Sequence, residues 1–356
     1  MATDKNSVVF YELLKAGLWE KEARLSQFGE IDYDAVMCLA EEQSVVGLVT
    51  AGLEQVKDVK VPQAWTLQFI GSTLQIEQRN NEMNNFIKAF IIQLRKHDIY
   101  AFLVKGQGVA QCYEKPLWRA CGDIDLILDE DNYQKAKEYL IPLAESVETE
   151  DTYCQHIGLK IKGWIDKKLD LIQHDSLACG NARSWINGGV HVFLPGVDND
   201  IMFIFTHFLK HFFKGGLGLR QICDWCRLLW VYKERIDVKK VEIMIRQMGL
   251  LSEWKAFSAY AVDYLGMPVD AMFLYSPDQK WKNKANRIQN FIMKCGNFGQ
   301  NRETLSKNTP YLMKKFYSMR RRVRDMLLHT KVFPRDSIFF LLFVIIRGTC
   351  SAIRGI

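Results

Sequence analysis

Three acidic residues stand out by their spacing. In the segment Gly-Asp-Ile-Asp-Leu-Ile-Leu, residues 122–128, Asp123 and Asp125 alternate with apolar residues. Alternation of this kind predicts a strand in which residues two apart share a face, so the two carboxylates project together while Ile124, Leu126 and Leu128 line the opposite face. Neighbouring carboxylates repel each other and call for a cation or a shared proton. Hard oxygen donors suit Mg²⁺ or Mn²⁺, and Mg²⁺ in such sites keeps several waters and bridges to substrate phosphates. A third acid, Asp170, lies in a second alternating run, Leu169-Asp-Leu-Ile, expected beside the first; Asp166 and Asp175 are nearby alternatives. Three acids on adjacent strands can hold two metal ions, or one metal and a base, which suits in-line displacement at a phosphoryl centre.

The preceding segment adds to this reading. Ile99 to Val104 is a continuous β-prone run that ends at Lys105-Gly106, and residues 107–113 read as a short helix. A strand-to-helix turn of this type brings backbone N–H groups and an ammonium to a place where a phosphate could sit. Gly108 would let the backbone approach closely. Lys105, Gly106 and Gly108 are therefore candidate nucleotide- and phosphate-binding residues.

These segments need elements to position them. Residues 1–98 show helical periodicity, as in Val36, Leu39 and Val46, with a break at Val61-Pro62. Residues 99–198 hold the alternating segments: strands at 99–104, 123–128, 158–162 and 168–173, and a helix from Asn132 to Leu140 capped near Asp131. Residues 199–356 return to helical periodicity. The fold expected is α/β (α+β), a small mixed β-sheet core embedded between N- and C-terminal helical regions.

Composition sets the outer bounds. The 356 residues are 48% hydrophobic and 25% charged, with nine Trp, a globular balance without the marks of disorder. The opening residues lack the pattern of a signal peptide, and the longest apolar run, Ile338 to Ile346, falls short of a transmembrane segment. Nine cysteines in no regular framework fit a reduced, cytoplasmic protein. Cys223 and Cys226 form a CxxC with no second pair to complete a zinc site. Residues 280–335 carry fifteen Lys and Arg against two acids, Glu303 and Asp325, within a chain of net charge +6. This basic segment either forms a solvated helix face or meets phosphate, nucleic acid or anionic lipid. His207, Lys210 and His211 share one helical face. Their HxxxH spacing is that of a zinc protease, but Phe208 stands where that chemistry requires Glu. Arg220 and Asp224 read as a plain i, i+4 ion pair, and His156 and His174 flank the later strands without an assigned role.

Taken together, the segments resemble the nucleotidyltransferase superfamily typified by polymerase beta. More narrowly they resemble a bacterial family of uncharacterised nucleotidyltransferases, with Lys-Gly, Tyr, Pro-x-x-Arg and Gly-Asp-Ile-Asp-Leu at Lys105-Gly106, Tyr113, Pro116 with Arg119, and Gly122 to Leu126. The likeness continues at Leu169-Asp170-Leu171, with Ile172 where the family has His, and at His207, His211, Arg220 and Asp224. It spans roughly residues 35–235. Gly106-Gln107 departs from the Gly-Ser usual in the broader superfamily and removes a hydroxyl contact to phosphate. The resemblance implies that Asp123, Asp125 and Asp170 bind Mg²⁺ or Mn²⁺ and carry catalysis, with Asp170 also able to accept a proton. It implies that Lys105 and Arg119 steady the triphosphate. His207, Lys210 and His211 are expected to support the site or line the substrate wall. The implied reaction moves an NMP from an NTP to an unknown acceptor hydroxyl or phosphate, releasing pyrophosphate. A catalytically weak nucleotide- or RNA-binding regulator on the same scaffold is the alternative, with the basic segment as its nucleic-acid contact.

Overall fold

The computed structural model describes residues 5–151, 155–161, 168–175, 181–214, 216–297 and 310–342. It is a mixed α/β structure in which two compact units can be distinguished. The first comprises Met1–Glu41, Val45–Ile204 and Asp224–Asp237, and the second Glu42–Ser44, Phe205–Cys223 and Val238–Ile356.

The first unit begins with helices α1 (Lys5–Trp19), α2 (Tyr33–Glu42), α3 (Val46–Glu54) and the long α4 (Gln63–Lys96). Pro62, at φ −58° and ψ 134°, sits immediately before α4, where its missing N–H costs no helical bond. The sheet follows: β1 (Phe102–Val104), β2 (Ile124–Leu128), β3 (Ala144–Val147), β4 (His156–Ile161), β5 (Lys168–Gln173), β6 (Arg183–Asn187) and β7 (Val190–Leu194). Its order is β3-β4-β5-β2-β1-β7-β6. The β1–β7 and β2–β5 pairs are parallel, and the other four are antiparallel. Two short helices intervene, α5 (Gly106–Ala110) and α6 (Glu130–Leu140).

The strands alternate because each has one face to bury. Leu103, Ile124, Leu126, Leu128, Leu169 and Leu171 form an apolar layer under Met83, Ile87, Phe90 and Leu94 of α4 and Tyr133, Ala136 and Leu140 of α6. On the opposite face, Val104 and Ile127 pack with Phe102, Ile172 and Phe203. That second face carries the polar residues of interest.

Several boundaries differ from the sequence expectations. The strand expected from Ile99 begins only at Phe102, and β2 starts at Ile124, leaving Asp123 at its entrance. The cap of α6 is Asp129, whose carboxylate accepts the Asn132 N–H at 2.8 Å, and not Asp131, which lies within the first helical turn beside Glu130. Three strands go beyond those expected, β3, β6 and β7. The β6–β7 hairpin turns through Gly188 and Gly189, both at positive φ, as a tight two-residue connection requires. Asp166 lies outside the described residues.

Helices that both units share in part are α7 (Val197–Lys214) and α8 (Leu219–Val231). The second unit adds α9 (Val238–Gln247), α10 (Leu251–Asp263), α11 (Gln279–Cys295) and α12 (Tyr311–His329). Its core is aromatic, with ring centroids 4.9 Å apart for Phe205–Trp254, Phe208–Phe257 and Phe212–Phe291. Among the described residues no helix is long and apolar enough to cross a membrane.

Two stability predictions follow from packing and burial. In the first unit α1 and α3 approach so closely that a Cβ on Gly17 would lie 1.9 Å from the Leu48 carbonyl oxygen, and one on Gly52 1.9 Å from that of Leu13. Gly17→Ala should therefore destabilise by about 1–3 kcal/mol or more, read as a lower denaturant midpoint at unchanged slope. In the second unit burial, reinforced by the nearby Asp336 carboxyl, pushes the fully buried Glu253 from 4.5 up to about 8. The folded state then holds a proton that the unfolded state releases, so stability is full below the unfolded value and is lost as pH rises from 4.5 through about 8. Thermal melts should show this decline, and Glu253→Gln should flatten it.

Candidate active site

The site rests on the register between β2 and β5. These parallel neighbours pair Asp125 with Asp170, and on β4 Gly158 pairs with Asp170. Cross-strand partners lie on the same face, so the two carboxylates stand side by side on the face opposite the leucine layer. Each residue is only 7% exposed. Asp123, two positions before Asp125, is exposed at the entrance to β2. The sheet thus brings Asp125 and Asp170 together and places Asp123 at the adjoining edge.

Cations answer the charge. The Lys105 ammonium donates to Asp125 Oδ1 at 2.5 Å. Burial raises the Asp125 carboxyl above its ordinary range; Lys105 opposes this, and the Asp170 and Asp123 carboxylates add to it. Asp170 moves the other way. Burial alone would raise it, but the His156 bond and the Lys168 charge outweigh burial and hold it below the usual carboxylate range. His156 Nε2 lies 2.9 Å and Lys168 Nζ 3.2 Å from Asp170 Oδ1, and Lys168 also reaches Glu148 at 2.9 Å. The two neighbouring carboxyls are therefore driven apart in acidity, the condition under which one fold assigns different proton roles to chemically identical groups.

His156 has no distinguishing sequence signal. It reaches the site because β4 pairs antiparallel with β5, setting His156 opposite Ile172. An imidazole thus reaches this face beside Ile172 from the neighbouring strand.

Lys105 occupies an unusual backbone position. It caps the N-terminus of α5 at φ 55° and ψ −148°, a left-handed conformation rarely taken by residues with a Cβ. Its ammonium also lies 5.9 Å from the centre of the Phe203 ring. Gly106, at φ 40°, is buried against Cys121, where an added Cβ would come 3.1 Å from Sγ. Gly108 is small for packing: a Cβ there would stand 2.9 Å from Leu194 Cδ2. The close approach read from the sequence at Gly108 is to the sheet.

Arg119 and Asp224 differ most from the sequence reading. Arg119 is buried, donating from Nε to Asp224 Oδ1 at 2.9 Å, from Nη2 to Oδ2 at 2.5 Å and from Nη1 to the Ala120 carbonyl at 3.1 Å. Tyr113 Oη donates to the same Asp224 Oδ1 at 2.8 Å. The acid expected to pair with Arg220 one helical turn away is thus bound by Arg119 from the loop before β2. All three guanidinium nitrogens engage protein acceptors where the sequence reading placed a phosphate contact. Gln107 belongs to the same scaffold. Its amide donates to Asn80 Oδ1 at 2.8 Å, and Asn80 donates to the Leu117 and Arg119 carbonyls at 2.7 and 2.8 Å. The residue in the place of the superfamily's Ser therefore braces the loop that carries Arg119.

His207, Lys210 and His211 belong to the second unit. His207 and His211 lie on one face of α7 with their Nε2 atoms 3.1 Å apart, and Lys210 is exposed. Among the described residues no group of three His, Cys, Asp or Glu side chains is gathered closely enough to hold a metal. The donor chemistry of Asp123, Asp125 and Asp170, all hard carboxylate oxygen, still matches a hard divalent cation, with Lys105 and Lys168 standing beside the two buried members.

The buried brace gives a prediction independent of catalysis. Asp224→Asn leaves the Arg119 guanidinium without its counter-charge and should cost about 3–5 kcal/mol, measured by equilibrium denaturation.

Comparison with known proteins adds to this geometry. No curated protein matches the chain. Among solved structures, an antigenic nucleotidyltransferase-like protein from Paracoccidioides brasiliensis aligns at 12% identity and a TM-score of 0.32, covering 54% of this chain and 96% of that one. The profile of a protein family matches residues 29–266, which hold the whole sheet, Lys105 and the three acids. The chain belongs to that family, the uncharacterised nucleotidyltransferases.

Proposed function

We propose that this protein is a metal-dependent nucleotidyltransferase that moves an NMP from an NTP to an acceptor hydroxyl or phosphate and releases pyrophosphate. The observation that carries the reading is the Asp125–Asp170 pair, side by side on one sheet face with the Lys105 ammonium on one member. Family membership supports the same general activity.

A divalent Mg²⁺ or Mn²⁺ held by Asp123, Asp125 and Asp170 would supply charge neutralisation at the phosphates. The chain's own groups do the rest. Lys105 shields Asp125 in the resting protein and, when its carboxylate is otherwise neutralised, turns its ammonium towards a phosphate oxygen. Asp170, kept ionised by His156 and Lys168, accepts the proton of the attacking hydroxyl. His156 and Lys168 fix Oδ1 of that carboxylate and so orient it. Most of the acceleration comes from this positioning and from electrostatics.

A second reading is favoured by one observation. Both buried carboxylates already have cationic partners within the chain, so the scaffold is stable as a nucleotide- or RNA-binding regulator with little turnover.

Both readings are tested by incubating the purified protein with each NTP radiolabelled at the α-phosphate, with Mg²⁺ or Mn²⁺ and cell extract as acceptor. Label should pass to an acceptor and be lost on chelation of the metal. Asp123→Ala/Asp125→Ala should abolish transfer, and His156→Gln should lower it by about 10–100-fold with nucleotide binding retained. Metal-dependent nucleotide binding without transfer selects the regulator. Failure to bind any NTP refutes nucleotidyl transfer and the nucleotide-binding regulator, and leaves the RNA-binding regulator only if the protein retards RNA in a gel-shift assay.

A further inference from the structure

The second unit contains a cavity that nucleotidyl transfer does not use. Its volume is about 320 Å³, within the range of small-molecule sites. Its floor is apolar, built from Phe213, Met326, Phe340 and Leu341, with the Phe213 and Phe340 rings stacked at 5.7 Å. Lys214, Arg321 and Arg322 line the same cavity. Against these three cations stands one lining acid, Asp325, which is itself buried. Arg321 and Arg322, in contrast, are exposed residues of α12, within the basic segment 280–335.

We propose that this cavity binds a free amphiphilic anion, an acyl or aryl body carrying a phosphate or carboxylate. The apolar floor and cationic wall meet the two halves of such a ligand. Two guanidiniums bordering one cavity supply donors of the kind that bind an oxyanion through paired charge-assisted hydrogen bonds. The buried His329 also lines the cavity, so a nucleobase is tested directly by the ATP titration below. Ser337 lines the cavity, but its hydroxyl already donates to the Phe333 carbonyl at 2.6 Å. Apolar surface also continues along the following helical residues, where Ile338, Phe339 and Leu342 are about half exposed. A chain longer than the cavity would run over them.

The test is calorimetric titration of the full-length protein with octyl phosphate, alongside inorganic phosphate, octyl glucoside, ATP and vesicles containing anionic lipid. Octyl phosphate should bind at least about tenfold more tightly than inorganic phosphate or octyl glucoside, because only it offers both halves. Arg321→Ala/Arg322→Ala should weaken it by about tenfold or more. Leu341→Glu, which sets a like charge in the floor, should do the same, with circular dichroism confirming that both variants fold. Arg246→Ala, an exposed residue of α9 paired with Glu242, should bind as the wild type does. The proposal is overturned if octyl phosphate does not bind, or if the cavity variants bind it unchanged. It is equally overturned if ATP is preferred and depends on Arg321 and Arg322, which would make this a nucleotide site. Binding of anionic vesicles without octyl phosphate would show a membrane-facing surface instead.

Discussion

Two carboxylates placed on adjacent strands at one register, with little water to solvate them, cannot both be ionised unless positive charge stands within a few ångströms. Much around this face of the sheet answers that constraint. Lys105 arrives from the turn after β1, Lys168 from the start of β5 and His156 from β4, so three separate segments converge on a single pair of acids. The antiparallel β4–β5 and β1–β2 pairings bring their cations to the acids from either side of the parallel β2–β5 pair. The opposite face can then be purely apolar, and α4 and α6 close over it. Under the proposed function a metal ion would enter a site that already balances its charge, so its binding would be an exchange of cations at the carboxylates and would depend on how readily the ammonium yields.

A second set of buried charges holds the scaffold. Arg119 joins the loop before β2 to Asp224 of α8, Arg183 of β6 bonds Asp200 of α7, and Arg227 of α8 reaches the Cys112 and Leu18 carbonyls. Each guanidinium offers several fixed donors, so one side chain can tie together chain segments far apart in sequence. Asp200 shows the strain of such burial: desolvation pushes it up to about 6 even with Arg183 bonded to it. Such pairs give specificity of arrangement more than net stability, since desolvating both partners offsets most of their attraction.

What could be read from the sequence was local in origin. Asp123, Asp125 and Asp170 announced themselves because a period of two in a strand is written in consecutive residues, and the leucines between them marked the buried face. The break before α4 was equally plain at Pro62. The β6–β7 hairpin left its mark in Asn187-Gly-Gly, a turn signal that could have been used. By contrast β3 is short and largely exposed, with no alternation to show it. His156 and the Arg119–Asp224 pair were hidden for a different reason. Their partners are fixed by sheet register and helix packing across long stretches of chain, and neither leaves a local pattern. Arg220 and Asp224 made a plausible helical pair on spacing alone, until a guanidinium 105 residues away took the carboxylate.

The backbone at Lys105 carries a further consequence. Held at φ 55°, it would be more comfortable as glycine, since a Cβ there costs about 1 kcal/mol or more. The fold therefore keeps a locally unfavourable residue at the position from which the Lys105 ammonium reaches Asp125. Local backbone comfort and charge pairing are opposed at this turn: a sequence optimised for backbone comfort alone would relax it, and would leave Asp125 without its ammonium while Asp170 kept His156 and Lys168.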